Sequence, residues 1–133
     1  MSIKTILFHL TNDDRLEARL EVALNVALKQ NAHINGVYTV TPATPPTSFM
    51  GYIPPEFVER TRSLEQENAG LSSIKLQEMA EKIGVSVSVF KEEGYAPEIL
   101  NKHALTSDLV VIGQVDPDDD NTAHFQYLAD ELV

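Results

Sequence analysis

Apolar residues fall into short runs separated by turn-forming clusters, and the spacing within each run assigns an element. Ile3 to Leu10 has the length and β-rich composition of a strand, and it ends at Thr11-Asn12-Asp13-Asp14. Asp14 and Glu17 stand three apart, a capping-box arrangement that predicts a helix start. Leu16, Leu20, Ala23, Leu24, Ala27 and Leu28 then repeat at helical spacing to about Lys29, with Asn31 near the C-terminal cap. A second strand is predicted over Ile34 to Val40. Thr41 to Pro55 holds five of the seven prolines and reads as a loop. It also carries Phe49, Met50, Tyr52 and Ile53, which either pack back onto the domain or form a lid or partner contact.

Pro54-Pro55 opens a long helix to about Lys82, with Phe57, Leu64, Leu71, Ile74 and Ile83 on or near one stripe and Gly84 as the stop. Val85, Val87 and Val89 alternate with serines, the pattern of a half-exposed strand at a sheet edge. A third helix begins near Pro97, with Ile99, Leu100, His103 and Ala104 inward. Leu109 to Ile112 is a continuous apolar run, as in a parallel strand covered on both faces. After a polar loop from Gln114 to Asn121, Phe125, Leu128 and Leu132 mark a last helix. Strands alternating with helices predict one α/β domain over residues 1–133: an open, twisted parallel sheet with helices on both faces and right-handed crossovers. A chain of 133 residues suits one such domain.

Charge alters this picture in one place. The formal net charge is −10; the seven acids after Lys102 face no Lys or Arg, whereas residues 1–102 carry ten bases against thirteen acids. An acidic surface disfavours nucleic acid and anionic membranes as partners. The chain has no cysteine, which removes disulfide, thiolate and Cys-type zinc chemistry. With no signal-like N-terminus and no apolar run long enough to span a bilayer, a cytoplasmic location is expected.

Ligands of open parallel sheets bind beyond the carboxyl ends of the strands, so Thr11, Val40 and Gly113 are the cleft candidates. No P-loop, dinucleotide fingerprint, nucleophile elbow or zincin motif is present, and a non-enzymatic role is expected. His9, at the end of a core strand, reads as a structural histidine rather than a ligand. Asp116, Asp118 and Asp120 stand at positions 1, 3 and 5 of a calcium loop, but position 12 falls on Tyr127, which offers no carboxylate. A solvated acidic loop is the favoured reading, with a metal-binding module as the rival. No cofactor is implied.

Three strings carry a family resemblance. Asp108-Leu-Val-Val-Ile-Gly113 resembles the fourth strand of universal stress protein domains, Ile6-Leu-Phe-His-Leu10 their first, and Gly94-Tyr-Ala-Pro97-Glu-Ile-Leu100 the segment opening their third helix. The match runs through the whole chain in element order. It implies strand order 3-2-1-4-5, a homodimer and a role in stress response or regulation. Nucleotide-binding members carry an acid at the end of the first strand and Gly-x2-Gly-x9-Gly-Ser/Thr after the fourth. Here Thr11 stands at the acid's place and only the first glycine, Gly113, remains; Asp116 and Gln126 fill the other two. The resemblance therefore points to the branch that does not bind ATP, the alternative being a nucleotide-binding member with an atypical phosphate loop. The family's fifth strand has no counterpart before Val133. That implies a C-terminally truncated domain or the N-terminal part of a tandem protein, with the fourth strand's edge covered by a partner or another element.

Overall fold

A computed structural model describes residues 2–40 and 55–113. The elements are β1 (Thr5–Leu10), α1 (Leu16–Gln30), β2 (His33–Val40), α2 (Pro55–Ile83), β3 (Val87–Glu93), α3 (Ala96–Ala104) and β4 (Leu109–Val111). The expectations for the proline-rich loop lie mostly outside the described residues. So do the aspartate run with Asp116, Asp118 and Asp120, the last helix and the question of a fifth strand.

Among the described residues the sheet has four strands in order β3-β2-β1-β4, and every pairing is parallel. β1 is central because its side chains are apolar on both faces. Ile6, Phe8 and Leu10 join the core under α1 and α2, and Leu7 packs with Val37 against Ala96 and Leu100 of α3. β3 lies at the edge, as the valine–serine alternation predicts. His33 of β2 spans to that side, with Nδ1 2.8 Å from Ser86 Oγ and Nε2 2.9 Å from Ser88 Oγ.

Two local expectations need correction. The N-cap of α1 falls on Arg15, one residue past the predicted Asp14, and its side chain makes no cap bond. Asp13 serves the helix start instead, its Oδ1 accepting from the Arg15 backbone N–H at 3.2 Å. His103 does more than pack, since its Nε2 pairs with the Glu92 carboxylate and its ring lies 5.4 Å from that of Phe90.

On α2 the stripe of large apolar residues faces away from the sheet. The helix's buried positions are Ala69, Ser72, Leu76 and Ala80, whereas Phe57, Leu64, Leu71 and Ile74 are 60%, 52%, 52% and 52% exposed. Close approach accounts for the small residues on the inner face. A Cβ on Gly36 of β2 would meet Leu76 Cδ2 at 2.6 Å and Leu10 Cδ1 at 2.9 Å, so Leu76 packs into the space that Gly36 leaves and the small Ala69, Ser72 and Ala80 fill the rest of the inner face.

Candidate functional site

The chain builds outward from β1 in both directions, through β2 and β3 on one side and β4 on the other. The crevice beyond the carboxyl ends of β1 and β4 is therefore the switch point where such sheets take ligands. It is lined from the end of β1, the first turns of α1 and the residues after β4.

A charged side chain absent from the sequence-level candidates occupies this crevice. Arg19 of α1 donates from Nη2 to Thr11 Oγ1 at 2.6 Å and to both Asp13 carboxylate oxygens at 3.0 Å. Thr11 Oγ1 in turn donates to Asp13 Oδ2 at 3.0 Å. The Arg19 and Asp13 side chains retain only 15% and 3% of their exposure. The guanidinium lies directly against Gly113: a Cβ built there would stand 2.9 Å from the guanidinium carbon. Its Nε has no hydrogen-bond partner.

Two of the three cleft candidates thus meet at one group, since Thr11 and Gly113 both lie against Arg19. Val40 belongs to the neighbouring side, where its carbonyl accepts the Gly94 N–H at 2.9 Å. Sequence reasoning missed Arg19 and Asp13, although one signal was present. Arg19 falls between Leu16 and Ala23 at helical spacing, on the inward stripe, where a charge needs a partner.

Beneath the crevice, His9 is buried with Nε2 3.1 Å from Thr39 Oγ1. Burial, reinforced by the nearby Arg19 charge and opposed by Asp13, lowers its pKa to about 4. The imidazole is therefore neutral near pH 7, in line with a structural histidine. At the α2 side of the mouth, Tyr38 donates its hydroxyl to Glu65 Oε2 at 3.0 Å. Burial and the Glu65 carboxylate push the phenol's pKa well above its usual value. Asn12 Nδ2 donates to Asn68 Oδ1 at 2.8 Å and ties the β1–α1 turn to α2. Among the described residues no group of three or more His, Asp or Glu side chains is arranged to hold a metal ion.

An all-parallel sheet with a switch point after its central strand, α1 and α2 on one face and α3 on the other, defines an open, doubly wound α/β architecture. Within that class the chain has the universal stress protein fold. It superimposes on UspA from Lactobacillus plantarum with a TM-score of 0.68 at 16% identity, over 98% of this chain and 93% of that one. A universal stress family protein from Burkholderia pseudomallei matches with a TM-score of 0.68 at 22% identity, over 98% and 87%. A universal stress protein in complex with cAMP matches with a TM-score of 0.60 at 13% identity, over 99% and 89%. No family model and no curated protein sequence matches the chain.

Proposed function

We propose that the chain is a non-catalytic, dimeric universal-stress-type module of stress response or regulation in the cytoplasm, whose switch-point crevice is filled by its own side chains rather than by ATP. The observation that carries this reading is the Arg19 guanidinium held by Asp13 and Thr11 against Gly113. A phosphate approaching the Gly113 backbone would have to displace that guanidinium. Leaving one member of a buried ion pair uncompensated costs about 3–5 kcal/mol, a cost that a ligand drawing Arg19 away from Asp13 would have to offset. The residues present therefore do not fit a triphosphate lying along the glycine. His9 supports the non-catalytic reading, because it is buried, neutral and engaged with Thr39. No helix among the described residues is long and apolar enough to cross a membrane.

A second reading, nucleotide binding through an altered contact set, is favoured by the fold neighbour crystallised with cAMP. Cyclic AMP carries one phosphate, so it asks less of the crevice than ATP does. Thermal-shift titrations with ATP–Mg²⁺ and with cAMP separate the readings. A ligand at a hundred times its Kd stabilises by about 2.7 kcal/mol, easily seen as a rise in Tm. A flat response to both nucleotides is expected; a saturable rise with either establishes the second reading.

A further inference from the structure

The outer face of α2 is the largest feature that the crevice leaves unexplained. At about 1.5 Å per residue, the helix's 29 residues run about 43 Å. The eight residues of β2 cover only about 26 Å. Fully buried positions on α2 begin at Ala69, and among the described residues the turns from Pro55 to Leu64 are at most half-buried. A short helical segment without tertiary packing is marginal in water.

The exposed residues on this face form a self-complementary series. Phe57, Leu64 and Leu71 recur every seven residues, and Ile74 lies three residues beyond Leu71 on the same side. Arg60 and Glu78 are eighteen residues apart, five whole helical turns, so they share one bearing on this stripe. They bracket Leu64, Leu71 and Ile74 along the axis. Both are exposed, and neither makes an ion pair among the described residues.

We propose that this face of α2 is the surface on which a second copy of the chain docks, antiparallel, about a two-fold axis level with Ala69. The proposal rests on the dimeric reading above and names its interface. The two-fold sets Arg60 of each copy opposite Glu78 of the other, an isologous arrangement that places both charge pairs at once. It also sets Leu64 opposite Ile74 and brings Leu71 into the central seam. The first turns of each helix then lie on the C-terminal half of the other, with Phe57 against the aliphatic stem of Lys82. This direction pairs Arg60 with Glu78, whereas a parallel pairing would place Arg60 on Arg60 and Glu78 on Glu78; the exposed Glu67 of each copy then sits opposite Leu71 of the other.

Sedimentation of the intact chain and three charge variants tests this. The wild type is expected to be a dimer. Arg60→Glu and Glu78→Arg each create two like-charged pairs and should weaken dimerisation by about tenfold or more. The double variant Arg60→Glu/Glu78→Arg restores opposite charges and should return to within a few-fold of wild type. These positions are exposed, so folding, followed by circular dichroism, should be unchanged. A dimer indifferent to all three variants overturns this surface and leaves the dimeric reading standing. A wild-type monomer overturns both and leaves the stripe to a partner of another kind. Single and double variants equally weakened would also overturn the proposed pairing.

Discussion

The switch-point crevice and the outer face of α2 exchange the roles their positions suggest. The crevice lies where folds of this type present open polar groups to a ligand, yet its polar groups are turned on one another. Arg19, Asp13 and Thr11 satisfy each other over Gly113, and His9 below them is bonded to Thr39. The outer face of α2 lies where a solvated polar stripe belongs, yet four large apolar side chains stand there half or more exposed. Binding capacity in this molecule is therefore read from unsatisfied surface, not from topology. The crevice is nearly complete in itself, and the helix face is not.

The strongest way to break the contrast is to remove one member of the crevice pair. Asp13→Ala leaves the Arg19 charge buried without its carboxylate and should cost about 3 kcal/mol or more in urea denaturation. Asp13→Ala/Arg19→Leu removes both charges and should recover much of that loss. If Asp13→Ala cost nothing, the pair would be a surface ornament and the crevice effectively open.

The pH dependence of stability probes the same region from beneath. The folded-state pKa of His9, at about 4, lies below its ordinary value of 6.5. The unfolded chain therefore takes up a proton that the native one refuses. Stability is intact above about pH 6.5 and falls as the pH drops toward 4, by about 3 kcal/mol in all. His9→Asn should flatten the profile over that window. The exposed Asp108 accepts from the Lys4 and Thr5 N–H groups at 2.8 and 3.1 Å. These bonds lower its pKa from 3.8, so its influence is lost only below the His9 window.

The smallest expected effect sharpens the other half of the contrast. At concentrations low enough to keep the chain monomeric, Leu64→Ala should change stability by no more than about 0.5 kcal/mol. Leu76 is fully buried against Gly36, and its replacement by alanine in the same helix should cost about 2–5 kcal/mol. Comparable losses at the two leucines would mean that the outer face is already packed.

The fold was legible in the sequence where burial is symmetric. β1 is an apolar run because both of its faces are covered, and the valine–serine alternation of β3 marks an edge strand; the apolar run of β4, expected to be covered on both faces, keeps Val110 37% exposed among the described residues. The orientation of α2 was not legible, because periodicity locates the largest apolar residues without showing which face meets the sheet. Here Leu76 packs into the space that Gly36 leaves, and the small Ala69, Ser72 and Ala80 fill the rest of the inner face. The crevice was half legible. Thr11 and Gly113 follow from strand ends alone, whereas Arg19 acts through a side chain that reaches back from α1. Asp13 was hidden for a related reason: its carboxylate serves Arg19 and the Arg15 N–H together, while the capping-box spacing drew attention to its neighbour Asp14.

The central claim, that Arg19 holds the crevice against a nucleotide, is tested most directly by side-chain ¹⁵N NMR of Arg19 during titration with ATP–Mg²⁺. A guanidinium locked between Asp13 and Gly113 should give N–H resonances protected from solvent exchange. Neither these nor the Gly113 amide should move as nucleotide is added. Rapidly exchanging guanidinium signals, or saturable shifts at Arg19 and Gly113 together, would contradict the account.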